Sequence, residues 1–337
     1  MNDRFYLSLA VSEAWKYQGL TYPNPAVGCV ISDKNGAILG VAAHKQAGLP
    51  HAELEAVKEA LSKLNPLLVF PLEPNELYAF IVKNHNNLLK NSTFYVTLEP
   101  CSHQGLTPPC ANLIVTIGAK SVVIGVADNT NKAKGGAQIL KKAGIEVRTG
   151  VLSEECNELL EPFLLWQSKS FSFFKLALRL DGTYDNGIIT PHEARVFMHR
   201  IRSVCDLIVI GGETLRADNP LLDARLINGK APDVLICTQK AVKKEANVFS
   251  VKNRETIIQS GLDFPEKYKN IMVEGGSNFL RAMSDRVDRF LIFHSCDFSL
   301  KGSKKIETDL KLKLLHQSHV DNCSFGWYRK EHSNISI

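Results

Sequence analysis

His51-Ala52-Glu53, taken together with Thr97-Leu98-Glu99-Pro100-Cys101 and Pro108-Pro109-Cys110 further along, decides how this chain is read. One imidazole and two thiolates are three soft donors, and a tetrahedral zinc ion held by three protein ligands keeps its fourth position for water. Such an ion lowers the pKa of its water toward ~7, so a nearby carboxylate that is not a ligand can take the proton and pass it to a leaving group. His51, Cys101 and Cys110 are therefore expected to hold one zinc ion per chain, with Glu53 as the carboxylate. A closed structural site would need a fourth Cys or His, and none stands in an obvious ligand spacing.

The surroundings of these residues fit that chemistry. His51 and Glu53 open a helix whose apolar residues recur at Ala56, Val57, Ala60 and Leu61, and Cys110 follows a proline and begins a second run through Leu113, Ile114 and Ile117. Unpaired N–H groups and the helix dipole favour a thiolate at a helix start. The pattern matches the general signature of zinc nucleobase deaminases, H-x-E followed by P-C and a second Cys, except that eight residues separate the cysteines here instead of two.

Working outward, Asp3 to Tyr17 carries Leu7, Ala10, Val11 and Ala14 at helical spacing. Ala26 to Ile31, a turn at Lys34-Asn35-Gly36 and Ala37 to Ala43 predict a hairpin. Residues 62–92, broken by Pro66, Pro71 and Pro74 and crowded with asparagine at their end, are read as a surface insertion. Beyond them strands (Thr93–Leu98, Ser121–Val126, Ile145–Arg148) alternate with helices (from Cys110, and Gly136–Ala143). That alternation indicates an α/β layer structure with the ligands at strand-to-helix turns. An apolar helix from Ser153 to Ser168 then bridges to a second unit, in which strands Phe171–Leu180, Asp206–Ile210, Val234–Cys237 and Asn270–Glu274 and a helix Pro191–Arg202 are expected. Two of these strands run into Gly-Gly. After Gly275-Gly276, Ser277-Asn278 can cap a helix, where free N–H groups could meet a phosphate. Arg289–Cys296 and Phe325–Lys330 look like strands that finish the sheet.

At 337 residues the chain suggests two domains, and its 45% hydrophobic and 22% charged residues are those of a soluble globular protein. No apolar run approaches the ~18 residues of a membrane span, and the first residues lack the apolar core of a signal peptide. Cys29, Cys205, Cys237 and Cys296 lie in or beside apolar runs, which reads as reduced thiols in a cytoplasmic protein. The net charge of +5 suits phosphorylated ligands, but no basic stripe with interleaved aromatics points to nucleic acid.

Pro23-Asn24-Pro25-Ala26-Val27-Gly28-Cys29-Val30, Gly48-Leu49-Pro50-His51-Ala52-Glu53 and the whole stretch Thr97 to Cys110 closely resemble the bifunctional riboflavin-biosynthesis deaminase–reductase family, which uses the eight-residue cysteine gap. The resemblance continues through Leu180-Asp181-Gly182, Ala194-Arg195, Arg202, Thr214 to Arg225 and Val273-Glu274-Gly275-Gly276, nearly the whole chain. It implies a cytidine-deaminase-like three-layer α/β/α domain over residues 1–149 and a dihydrofolate-reductase-like α/β domain over 150–337, with 150–170 as a linking helix. The first would remove the 2-amino group of a 2,5-diamino-6-(phosphoribosylamino)pyrimidinone, and the second would use NADPH to reduce the ribosyl unit to ribityl. The resemblance puts Asn24, His44 and His103 around the pyrimidine. It puts Lys175, Thr190, Arg202, Asp218, Leu222, Arg225 and Glu274 on substrate or catalytic positions of the reductase, and Thr214, Thr238, Gly276, Ser277 and Asn278 on NADPH positions. Arg202 and Arg225 could grip a phosphate between them. A homodimer or larger homo-oligomer is expected, with neither nucleic acid nor membrane as partner.

Three departures from the family stand out. Arg179 replaces a small Ser before Leu180-Asp181-Gly182, the loop Thr183–Ile189 is several residues short and has no Trp, and Asp128-Asn129-Thr130-Asn131 replaces Asp-Pro-Asn-Pro. Arg179 is expected to fill part of the vacated space and hold a phosphate, with the loop's covering role passing to Tyr184 or to another subunit. Two competing readings follow. One makes residues 171–337 a non-catalytic NADPH-binding or dimerisation module beside a working deaminase, and the other makes the chain a nucleoside or tRNA-adenosine deaminase.

Overall fold

The computed structural model describes residues 2–105, 107–128, 135–185 and 187–331. Leu106 of the cysteine loop, Asn129-Thr130-Asn131 and Asn186 lie outside them. The chain divides into two compact units, Met1–Leu164 and Leu165–Ile337. No helix among the described residues is long and apolar enough to cross a membrane.

In the first unit the order is α1 (Asp3–Trp15), β1 (Gly28–Ser32), β2 (Ile38–Ala43), α2 (Ala52–Leu64), α3 (Pro74–Asn84), β3 (Thr93–Leu98), α4 (Cys110–Ile117), β4 (Ser121–Val126), α5 (Gly136–Lys142) and β5 (Glu146–Thr149), followed by α6 (Ser153–Trp166). The sheet runs β2-β1-β3-β4-β5, with β1 antiparallel to both neighbours and β3, β4 and β5 parallel. Every residue of β1 is buried, which requires cover on both faces. The register explains how that cover is arranged. Cross-strand partners share a face, so Gly40 lies on the side of its partner Ile31, and Gly28, three residues from Ile31, lies on the other. A Cβ at Gly28 would sit 1.9 Å from the Ala10 carbonyl oxygen of α1, and one at Gly40 would sit 2.3 Å from that of Ala56 in α2. The two helices therefore press on opposite faces, giving the expected three layers.

The segment read as a surface insertion is not one throughout. It contains α3, started by Pro74 behind Glu73, whose carboxylate accepts from the Glu76 N–H. Leu77 and Ile81, one turn apart, are 1% and 0% exposed and belong to the core, as does Leu89. The stretch before the helix is surface, with Leu67, Val69 and Leu72 at 84–91% exposure, and so is most of the asparagine-rich turn after it around Leu89. The prolines that suggested an insertion act here as helix punctuation.

The second unit contains β6 (Phe171–Leu178), α7 (His192–Val204), β7 (Leu207–Gly211), α8 (Gly212–Asp218), β8 (Asp233–Cys237), β9 (Thr256–Gln259), β10 (Asn270–Glu274), α9 (Ser277–Met283), β11 (Arg289–Ser295), β12 (Leu312–Val320) and β13 (Cys323–Lys330). Its eight strands run β12-β13-β11-β6-β10-β7-β8-β9. The pairs from β11 to β9 are parallel, and β13 and β12 close the edge antiparallel. Central β7 is buried along its length, as its unbroken Leu-Ile-Val-Ile requires. The carboxyl ends of β6, β7, β8 and β10 lie side by side, where a parallel sheet offers its ligand crevice. Helix α6, expected as the link, packs Cys156, Leu159 and Leu160 within the first unit, where the Gln18 amide donates to the Leu159 carbonyl at 2.9 Å.

Candidate active sites

In the first unit, strand β3 runs through Glu99-Pro100 into Cys101, and α4 and α2 begin at Cys110 and just after His51. This geometry brings the three predicted ligands together, with their donor atoms within 4.8 Å of one another. The His51 Nδ1 lies 3.7 Å from Cys101 Sγ and 3.5 Å from Cys110 Sγ. Two ligands of one tetrahedral zinc, at ordinary Zn–N and Zn–S lengths, stand about 3.6 Å apart. The donor set therefore fits zinc without rearrangement, and no other group of three possible ligands forms among the described residues. The pKa of Cys101 is lowered, favouring its thiolate, by the Cys110 thiol that donates to it, by His51, and by the Cys110 backbone N–H at 3.4 Å.

Glu53, in the first turn of α2, is 3% exposed. Burial, reinforced by the Cys101 thiolate, pushes its carboxyl up to about 7, so it can both take and release a proton near neutrality. His44 lies beside His51, ring centroids 5.5 Å apart. Its Nδ1–H donates to the Pro50 carbonyl at 3.0 Å, which leaves Nε2 only the acceptor role. Asn24 then presents its NH2 to that nitrogen at 3.1 Å and keeps its amide oxygen as an acceptor for something else. Burial holds the His44 ring neutral, with its pKa near 4. Nδ1 of His103, two residues past Cys101 in the chain, is buried with no hydrogen-bond partner among the described residues.

Glu99 received no role from the sequence, yet it is 8% exposed. Its carboxylate accepts from the backbone N–H of Asp128 (3.1 Å), Gly135 (3.1 Å) and Ala137 (2.8 Å). It thus ties the start of α5 to the turn that carries Cys101. An acid at the end of an otherwise apolar strand was the available signal.

In the second unit a cavity of about 670 Å³ opens at the carboxyl ends of β6, β7, β8 and β10, a size suited to a small-molecule ligand. Lys175, Asp218, Glu274, Thr214, Thr238, Gly276, Ser277 and Asn278 all line it, as do the cations Arg216, Lys240 and Lys304. Hydroxyls and cations around one hollow suit a ligand rich in phosphate. Thr190, Arg202, Leu222 and Arg225 are not in its lining. Arg202 reaches the wall indirectly, donating to both oxygens of Glu274 at 2.9 and 3.1 Å. Burial works against the Glu274 charge, but Arg202 and Lys175 outweigh it and lower the pKa; burial lowers that of Lys175. Arg225 is exposed and paired with Asp223 at 2.5 Å. Leu222 is buried in a left-handed turn, φ +54°.

Two expectations need correction. Ser277 is the first residue of α9 rather than a side-chain cap, and its hydroxyl accepts from the Glu307 N–H at 2.8 Å. Arg179 is 5% exposed and is turned onto its own loop, donating to the Asp185 carbonyl at 2.7 Å and the Thr183 hydroxyl at 3.3 Å. A buried guanidinium needs acceptors, and the short loop supplies them.

Known protein families account for both units. The cytidine and deoxycytidylate deaminase zinc-binding region matches residues 1–126, and the RibD C-terminal domain matches residues 174–296. The riboflavin biosynthesis protein RibD of Bacillus amyloliquefaciens is 34% identical over 295 residues, 85% of this chain and 72% of that protein. The chain belongs to the RibD family. The RibD protein of Actinobacillus pleuropneumoniae is 36% identical over 86% of this chain and 73% of its own length. A solved Thermotoga maritima structure, titled as a diaminohydroxyphosphoribosylaminopyrimidine deaminase and 5-amino-6-(5-phosphoribosylamino)uracil reductase, is 28% identical, with a TM-score of 0.61 over 97% of this chain and 98% of that one. Acinetobacter baumannii RibD shares the fold at 23% identity and a TM-score of 0.61, over 98% of this chain and 99% of its own.

Proposed function

We propose that this chain is a two-activity enzyme of riboflavin biosynthesis. Its first unit hydrolyses the 2-amino group of 2,5-diamino-6-(5-phosphoribosylamino)pyrimidin-4-one, and its second reduces the ribosyl side chain of the product to ribityl with NADPH. The unit Met1–Leu164, α6 included, carries the deaminase and the unit Leu165–Ile337 the reductase. The observation that carries the reading is the convergence of His51 Nδ1, Cys101 Sγ and Cys110 Sγ within 4.8 Å, next to a buried Glu53.

His51, Cys101 and Cys110 hold one zinc ion, which when bound supplies a water acidic enough to attack at neutral pH. Glu53 takes the proton of the attacking water and returns it to the departing amine, which leaves as ammonia. Asn24, fixed by His44, offers its amide oxygen to an N–H of the pyrimidine, and the open Nδ1 of His103 serves the same ligand. In the second unit Thr214, Thr238 and the Gly276-Ser277-Asn278 turn hold NADPH. Lys175, Asp218 and Glu274 face the ribosyl chain from the cavity wall, and Arg202 keeps Glu274 ionised and in place. Thr190, Leu222 and Arg225 complete the substrate side from the neighbouring loops. The ligands' phosphates agree with the net charge of +5.

Metal analysis tests the centre. The wild-type protein is expected to hold one zinc per chain, and Cys101→Ala and Cys110→Ala to lose most of it. Full occupancy in both variants would overturn the ligand set.

A further inference from the structure

The shortened loop brings an aromatic side chain into the reductase cavity. Tyr184 lines it together with Gly276, Ser277 and Asn278, its ring over the Gly276 backbone and its hydroxyl accepting from the Ser277 N–H at 3.2 Å. The loop that carries it is pinned on several sides. Arg179 donates to the Asp185 carbonyl, Asp181 accepts from Thr183 N and Oγ1 (3.0 and 2.7 Å) and from the Ser299 N–H (3.1 Å), and Asp185 accepts from Ser303 N and Oγ at 2.9 Å each. The Tyr184 N–H itself donates to the Lys304 carbonyl at 3.1 Å. A phenol is both donor and acceptor. Ser277 uses the acceptor side, and among the described residues no group accepts the Tyr184 proton.

We infer that Tyr184 is a cofactor-binding residue of this reductase: its ring closes the Gly276–Ser277 end of the cavity, and its hydroxyl proton is donated to a phosphate oxygen of NADPH. The inference rests on the reductase reading above and deepens it. The Ser277 N–H orients the phenol oxygen, and the pinned loop removes the entropic cost of ordering the side chain on binding. Cofactor rather than substrate is the ligand because the hydroxyl stands over the turn assigned to NADPH, on the same wall.

The test is NADPH titration of the full-length protein, followed by the cofactor's fluorescence, for wild type and Tyr184→Phe, with the deamination rate of each preparation as the control for folding. A neutral donor lost from a charged acceptor weakens binding about tenfold, so Tyr184→Phe is expected to bind NADPH about tenfold more weakly while deaminating at the wild-type rate. Equal affinities in the two proteins would overturn the role of Tyr184 and leave the reductase reading standing. Absence of NADPH binding by wild type would overturn both. An unchanged NADPH affinity with a raised KM for the deaminated intermediate would move the hydroxyl to the substrate's phosphate and reject the cofactor assignment.

Discussion

Glu53 is where burial and chemistry meet. A carboxyl taken out of water beside thiolate is costly to ionise, and that same cost sets its pKa near 7, the range in which an acid–base group works best. Glu53→Gln keeps the volume but cannot shuttle a proton, so the variant is expected to retain zinc and fold and to lose ~10²-fold or more in deamination rate. Near wild-type turnover would assign the proton to another group. His44 makes a separate prediction. Its pKa is near 4 when folded and 6.5 when free. As pH falls below 6.5 the unfolded chain therefore gains a proton that the folded ring refuses, and stability is lost progressively down to about 4. At pH 5 the loss is about 2 kcal/mol. Urea unfolding at pH 7 and pH 5 measures it, and His44→Gln should remove that part of the pH dependence; an equal drop in wild type and variant would show that His44 does not titrate this way. The ligands and Glu53 were legible in the sequence because each has a chemistry that few residues share. The tautomer of His44 and the clamp made by Glu99 were not, since both depend on backbone groups brought in from elsewhere in the fold.

Elements were readable where burial is uniform or periodic. β1 and β7 are continuous apolar runs, and α1, α2 and α7 carry their apolar residues at helical spacing. No such pattern marks α8, of seven residues, which follows β7 with only its Gly-Gly as a signal, or β9 and β12, edge strands whose residues are largely half-exposed. The clearest divergence is α3, where frequent prolines hid two core leucine-class positions. Leu77→Ala and Ile81→Ala are expected to cost roughly 2–5 kcal/mol each, the usual range for emptying a packed site. Leu67→Ser, at 89% exposure, should stay within about 0.5 kcal/mol. Chemical denaturation of the three variants separates the core helix from the surface stretch before it. A small effect at both Leu77 and Ile81 would restore the insertion reading.

At the scale of the molecule the sequence conveyed two α/β units and their order, because strand and helix patterns alternate through both and motifs specific to one family recur along the chain. It conveyed less about the second site. The cavity draws its walls from four parallel strands and from the loop that carries Tyr184, and the destinations of Arg179 and Tyr184 depend on the pairing of residues 179–185 with 297–305. One polypeptide is expected to deaminate the pyrimidine and then reduce the sugar. The most direct measurement is to incubate the purified zinc-loaded protein with 2,5-diamino-6-(5-phosphoribosylamino)pyrimidin-4-one, with and without NADPH, and identify the products by mass. Without NADPH the deaminated ribosyl compound should accumulate; with NADPH it should be replaced by the ribityl compound, with one NADPH oxidised per product. Deaminated product alone in both incubations, with NADPH untouched, would contradict the account and make the second unit a binding module.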